Sequence, residues 1–251
     1  MCGIMSYIGK RNSLPILLGG LRREIYRGYD SSGIVVFDGK EMICVKEVGK
    51  LDNLENKLAN QSINGFCGLG HVRWSTHGLV TEVNAHPHWD CSENVFLVHN
   101  GIIENYQTLK EKLIQKGHRF VSETDTEVLP HLIEHFFQGN LEEAVNKALR
   151  FVKGTYALAI ISTKDPGKLV LARNSAPLLI GIGENEFFAA SDPSAVIAHT
   201  KKVIYLDDGE IAVLTPSQFF IQDINQKGEV PVIVNSTFIQ MIPIKQLCGQ
   251  T

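Results

Sequence analysis

Long apolar runs are missing from this 251-residue sequence. No stretch approaches the roughly 18 consecutive apolar residues that cross a bilayer, so no membrane-spanning helix is expected. The opening MCGIMSYIGKRNS has no basic stretch leading into an apolar one, which argues against a signal peptide. An excess of one charge is missing too. The 24 Lys+Arg stand against 27 Asp+Glu, a net charge of −3, and this leaves no basic footprint for nucleic acid or an anionic membrane surface. Cysteine is scarce and unpaired: Cys2, Cys44, Cys67, Cys91 and Cys248 form no CxxC, a pattern of reduced thiols in a cytoplasmic protein. HExxH, GxGxxG, Walker A and GxSxG are all absent, so metalloprotease, phosphate-loop and serine-hydrolase chemistry lack support. His86, His88, Asp90 and Cys91, with His71 and His77 nearby, do not follow a recognised ligand spacing; no metal and no cofactor is expected.

What is present is globular. Hydrophobic residues make up 44% and charged residues 20%, which excludes a disordered or low-complexity chain. Many short β-branched runs alternate with turn signals. Asp38-Gly39 and Asp208-Gly209 both read as hairpin turns, so the sheets should be mainly antiparallel. Ile34–Phe37 and Tyr156–Ile161 are apolar at nearly every position, the pattern of strands covered on both faces. Helices are predicted over 14–26, 105–117 and 125–139, with Pro130 kinking the last or delaying its start. Asn140 and Glu143 read as a capping-box variant opening a helix that ends near Gly154, and Asp192-Pro193 as the start of a short one. Two sheets face to face between outer helices bury both faces of every central strand. A four-layer α/β/β/α sandwich is therefore expected.

Cys2 carries the sharpest chemical signal. A small second residue permits removal of Met1, leaving thiol and α-amine on one residue, a nucleophile with its own base. The amine, with an ordinary pKa of about 7.7–8.0, can take the thiol proton near neutrality. Alone, such a cysteine also fits a small packed hydrophobe. Gly70–Gly78 (GHVRWSTHG) sets a guanidinium, an indole, hydroxyls and imidazoles in one segment, suited to carboxylate capture or to a stacked strand end. His99-Asn100-Gly101 offers a side-chain amide beside a glycine N–H, as an oxyanion site requires; taken alone, it reads first as an Asn-Gly turn. Ser122–Glu127 (SETDTE) puts carboxylates where they can cap a helix or hold an ammonium group.

Together with MCGI, YRGYDSSG (26–33) and NAHPH (84–88), these segments resemble the class II glutamine amidotransferases, which are N-terminal-nucleophile hydrolases of four-layer fold. The likeness runs in order from Cys2 to about residue 216, and RGYDSSG and SETDTE are most similar to the branch that aminates fructose 6-phosphate. The resemblance implies glutaminase chemistry. Cys2 attacks the glutamine carboxamide, passing through a thioester; Asn100 and Gly101 form the oxyanion hole; Arg73 and Asp125 hold the substrate's α-carboxylate and α-ammonium. Thr76 and His77 line the same pocket, Trp74 belongs to a closing loop, and Arg27 supports the nucleophile's surroundings.

Full-length members of that fructose 6-phosphate branch continue into two sugar-phosphate isomerase domains. By resemblance, residues 2–236 are the amidotransferase unit and 237–251 a tail, with the isomerase domains absent. A fragment, an excised domain and a stand-alone subunit docking a separate isomerase all fit. So does a glutamine-binding module idle without its partner. A different acceptor, phosphoribosyl pyrophosphate or aspartate, fits RGYDSSG and SETDTE less well.

Overall fold

Strands that are apolar on both faces need cover on both sides, and the chain supplies it by stacking two sheets between two helical layers. The computed structural model describes residues 2–75 and 78–224, with the backbone of Gln240–Met241. In chain order the first elements are β1 (Gly3–Ile8), α1 (Ser13–Glu24), a 3₁₀ turn (Ile25–Arg27), β2 (Ser31–Phe37), β3 (Met42–Val48), α2 (Leu51–Leu58) and β4 (Cys67–Arg73). Then come β5 (His88–Trp89), β6 (Val95–Ile103), α3 (Tyr106–Gln115), α4 (Val128–Phe136), α5 (Leu141–Leu149) and β7 (Gly154–Ser162). The last are β8 (Leu169–Asn174), β9 (Leu179–Ile182), β10 (Phe187–Ala190), α6 (Pro193–Val196), β11 (Lys202–Tyr205), β12 (Glu210–Leu214), β13 (Phe219–Asp223) and β14 (Gln240–Met241).

One sheet has the order β14-β11-β9-β10-β1-β4-β2-β3 and the other β13-β12-β8-β7-β6-β5, with antiparallel pairing throughout. Each central strand divides its side chains between two cores. On β7, Ala157, Ala159 and Ile161 face the opposite sheet, while Leu158 and Ile160 pack with Leu113, Leu129 and Val145 of α3, α4 and α5. On β1, Ile4 and Ile8 enter the space between the sheets, while Met5 and Tyr7 pack with Leu17 and Leu21 of α1. The expected α/β/β/α layering is the one observed.

Local signals were met unevenly. Asn140 caps α5, its Oδ1 accepting from Glu143 N at 2.8 Å, but the helix stops at Leu149 and Gly154 already opens β7. Pro130 delays α4 to Val128, so its missing N–H falls in the first turn, where no helical partner is needed. Asp38 closes the β2–β3 hairpin by accepting from Lys40 N and Glu41 N at 2.7 and 2.8 Å. Asp208-Gly209 does not make a hairpin. β11 before it and β12 after it lie in different sheets, and the positive φ of Gly209 serves a crossing between layers.

Glu24, at the end of α1, is fully buried. Its Oε1 accepts from Ser191 Oγ at 2.9 Å, and that hydroxyl in turn accepts from Ile4 N, which ties α1 to the head of β1. Burial pushes the carboxyl well above the ordinary range. A raised folded pKa means that stability is fully present below the unfolded pKa and is lost as pH rises through the folded one. Glu24→Gln, isosteric and permanently neutral, should therefore gain on the native protein as pH rises above about 4.5, by up to about 1.4 kcal/mol per pH unit. Urea unfolding between pH 4 and pH 8 measures this, and a gap that ignores pH would refute the protonated carboxyl.

Candidate active site

Because β1 runs between β10 and β4, the residue just before it is held at the middle of a sheet end. That residue is Cys2. Its Sγ donates to Trp74 O at 3.4 Å and accepts from Trp74 N at 3.3 Å, so the backbone leaving β4 brackets the sulfur. Burial pushes the thiol up, and Asp30 adds to this; the Trp74 N–H and the Arg73 charge act the other way. The resting sulfur is thus a thiol that needs a proton acceptor before it can attack.

The cleft in front of it, about 310 Å³, is lined by Cys2, Arg73, Trp74, Gly101 and Asp125, with His86, His99, Thr124 and Thr126 at the base. Arg73 is buried, and although burial lowers its pKa, the nearby Cys2, Asp30 and Asp125 favour its charge. Asp125 Oδ2 accepts from Ile103 N at 2.7 Å, fixing the carboxylate across from Arg73 along the cleft wall. A cation and an anion in one small cleft beside a sulfur match the two charged ends of an α-amino acid. Trp74 is half-exposed, its ring edge-on to Tyr29 at 5.3 Å between centroids.

Asn100 and Gly101 sit inside β6 rather than in a turn, paired with Ala157 and Tyr156 of β7. Asn100 Nδ2 donates to the carbonyl of Cys2 at 3.0 Å, while Oδ1 meets His71 Nε2 at 3.0 Å. Gly101 has φ +137°, and a Cβ there would stand 2.0 Å from Thr155 O, so only glycine fits this strand position. His71, His86 and His88 are buried and held neutral by desolvation; the pKa of His71 falls to about 3. His71 contacts His86, His86 contacts Thr126 at 3.2 Å, and Thr126 contacts His99 at 2.9 Å, a polar chain behind the cleft that orients Asn100.

The structure therefore brings Cys2, Arg73, Trp74, Asn100, Gly101 and Asp125 together. Arg27 stands apart from the cleft lining, bound to Asp192 at 2.7 Å and to Tyr26 OH at 3.1 Å. Thr76 and His77 lie outside the described residues. Sequence reasoning did not assign Asp30, Thr124, Thr126 or the His71–His86 pair to the site; only topology joins them. A larger cleft, about 490 Å³, borders Lys46, Trp89 and Glu127. Burial pulls Lys46 down to about 8, but its Nζ is committed to Val83 O and Pro87 O, each at 3.2 Å. Of these two clefts, the smaller is the one that combines a sulfur with opposite charges.

Comparison with known proteins agrees with this geometry. Residues 71–198 match the family model described as a glutamine amidotransferase domain. The chain belongs to that family, and its layers are those of the N-terminal-nucleophile hydrolases. Among named relatives, glutamine–fructose-6-phosphate aminotransferase (isomerizing) of Bacteroides thetaiotaomicron is 51% identical over 247 residues, covering 97% of this chain and 38% of that protein. The enzyme of the same name from Thermococcus kodakarensis is 50% identical over 232 residues, again with 38% of its length covered. The chain thus spans less than two fifths of these relatives. Among solved structures, the glutamine phosphoribosylpyrophosphate amidotransferase of B. subtilis, complexed with ADP and GMP, superposes with TM-score 0.78 at 26% identity. The match covers 90% of this chain and 50% of that one.

Proposed function

We propose that this chain hydrolyses L-glutamine to glutamate and ammonia, the donor half of the amination of fructose 6-phosphate to glucosamine 6-phosphate. The observation that carries the reading is the Cys2 sulfur, bracketed by the Trp74 backbone in a cleft shared by Arg73 and Asp125. Removal of Met1 frees the α-amine of Cys2, which takes the thiol proton as sulfur attacks the carboxamide carbon. Negative charge moves to the carboxamide oxygen, where the Asn100 amide and the Gly101 N–H are the donors. Collapse breaks the C–N bond, the amine returns its proton to the leaving nitrogen, and ammonia departs. Water then cleaves the γ-glutamyl thioester, releasing glutamate and restoring the thiol. Arg73 binds the α-carboxylate and Asp125 the α-ammonium, with Thr76 and His77 in the same pocket and Trp74 in the loop that closes it. Arg27 acts at a distance, as an anchor of the turn that follows α1 through Asp192.

The same reading makes residues 2–236 the glutaminase unit and 237–251 a tail, acting in the cytoplasm. Its ammonia acceptor lies on a sugar-phosphate isomerase region that is either a separate subunit or the rest of a longer chain. The identity near 50% to aminotransferases named for fructose 6-phosphate favours that acceptor over phosphoribosyl pyrophosphate. Among the described residues no helix is long and apolar enough to cross a membrane.

A glutamine-like alkylating analogue tests the assignment. Peptide mass spectrometry should find one adduct per chain, on Cys2, in protein whose first residue is Cys2, and glutamate and ammonia should appear in equal amounts. Active protein that retains Met1 would exclude the amine as base. Glutamine binding by calorimetry without glutamate release would leave a binding module.

A further inference from the structure

On the outer side of the six-stranded sheet, away from the Cys2 cleft lining, three separate segments aim ligand atoms at one point. Asp90 Oδ1 accepts from Asn94 N and Val95 N, at 2.7 and 2.9 Å, and so tightens the turn between β5 and β6 that presents Cys91. His118 follows α3, its N donating to Leu113 O at 3.1 Å. His131 and Glu134 stand one turn apart on α4, on the same face. Cys91 Sγ, one nitrogen each of His118 and His131, and one Glu134 oxygen all lie within 4.8 Å of one another.

We propose that Cys91, His118, His131 and Glu134 form a structural site for a divalent transition metal of the zinc class. The atoms involved are the same in every contact. Cys91 Sγ is 3.7 Å from His118 Nδ1 and 3.4 Å from His131 Nδ1; Glu134 Oε2 is 3.1 Å from His118 Nδ1 and 3.7 Å from His131 Nδ1. A tetrahedral ion with metal–nitrogen and metal–oxygen bonds of about 2.0–2.1 Å and a metal–sulfur bond of about 2.3 Å has ligand–ligand edges of about 3.3–3.6 Å. The four measured edges straddle that range. A thiolate and a carboxylate neutralise a dication, and the mix of one sulfur, two imidazoles and one oxygen suits zinc rather than magnesium or calcium. Four protein ligands leave no open position, which marks a structural rather than a catalytic centre.

The surroundings are those a metal centre requires. Arg119 N donates to Cys91 Sγ at 3.4 Å, and Ser92 Oγ donates to Glu134 Oε1 at 2.9 Å, holding Oε2 toward the centre. His131 is almost completely buried, and among the described residues its Nε2 has no hydrogen-bond partner. Glu127 Oε1 stands 3.6 Å from it, the arrangement by which a carboxylate orients a metal-bound imidazole. Glu127 also accepts from Val121 N at 2.8 Å and Ser122 N at 2.6 Å. An ion gripping His131 therefore braces the segment that leads to Asp125. Along the sequence Cys91 stands with His86 and His88, in a spacing from which no metal is expected. The fold separates them: His86 and His88 turn inward to Thr126 and Thr124, while Cys91 meets residues far along the chain.

Cobalt(II) titrated into the metal-stripped whole chain, in a Cys2→Ala background, should develop tetrahedral absorption with a thiolate charge-transfer band. The signal should saturate at one equivalent and be displaced by zinc(II). Cys91→Ser should remove the charge-transfer band, and Cys91→Ser and His118→Asn should each weaken binding by roughly 100-fold or more. In the otherwise unaltered chain, zinc(II) should slow alkylation of Cys91 at least about tenfold, a readout that needs no variant to fold. An octahedral cobalt spectrum, a charge-transfer band that survives Cys91→Ser, or an alkylation rate indifferent to zinc overturns the proposal.

Discussion

Cys2→Ala should lower glutamate release by a factor of about 10⁴ or more while leaving the fold intact, since loss of the proposed covalent nucleophile removes the reaction path itself. The sulfur's hydrogen bonds are to the Trp74 N–H and carbonyl, at 3.3 and 3.4 Å, both at the border of the cleft. Water can satisfy both groups when the sulfur is gone, so the melting temperature should move little. Glutamine should still bind, because Arg73 and Asp125 are untouched; the loss then appears in kcat and not in KM. Cys2→Ser should fare little better. Its hydroxyl is a far weaker nucleophile than a thiol in a pocket where burial already raises the proton affinity of the native sulfur. In the native protein the rate should climb with pH as the α-amine, with an ordinary pKa of about 7.7–8.0, becomes free to accept the proton. Steady-state assays of glutamate from about pH 6 to pH 9, beside calorimetric glutamine binding by the alanine variant, measure both expectations. Substantial turnover by Cys2→Ala would move the nucleophile elsewhere.

The layers were legible because burial on both faces leaves a local mark. Tyr156–Ile161 is apolar at successive positions, and the structure sends alternate members to the helical and the inter-sheet cores. Pairing partners leave no such mark. Asp208-Gly209 reports a turn, but nothing local says that the strands on its two sides belong to different sheets. The short α2 was missed, although Leu51, Leu54 and Leu58 follow helical spacing and are buried. From sequence, Asn100-Gly101 reads as an oxyanion site or a turn. β6 runs through both residues because Gly101 accepts a φ of +137° that a side chain would oppose. The histidines behind the cleft come from β4, β5, β6 and the segment before β5, and only their assembly reveals that desolvation holds their pKa down and that His71 and His86 bond each other. The Cys91 cluster was hidden for the same reason: the His131–Glu134 spacing on α4 is its one local trace.

Asn100 and Gly101 should respond differently to alanine, although both are assigned to one oxyanion site. On the proposed mechanism, Asn100→Ala removes a donor that meets negative charge only as the tetrahedral intermediate forms. It should lower kcat by about 10²–10³-fold and leave KM within a few-fold of the native value. Its structural cost is smaller, because of the two groups it strands the Cys2 carbonyl belongs to a residue lining the cleft, and His71 Nε2 keeps His86 Nδ1 at 3.1 Å. Gly101→Ala acts through the backbone. The new Cβ would lie 2.0 Å from Thr155 O at a positive φ, so β6 and β7 must part or twist where Gly101 pairs with Tyr156. Strain of this kind costs on the order of 1–3 kcal/mol before the clash is counted. For a chain of this size that lowers the melting temperature by roughly 2–12 °C. Moving β6 also displaces Asn100 and the Ile103 N–H that holds Asp125, so KM should rise along with the fall in kcat. Thermal unfolding beside steady-state kinetics separates the two variants. A Gly101→Ala protein with native stability and native KM would mean that the strand does not enforce the site's geometry.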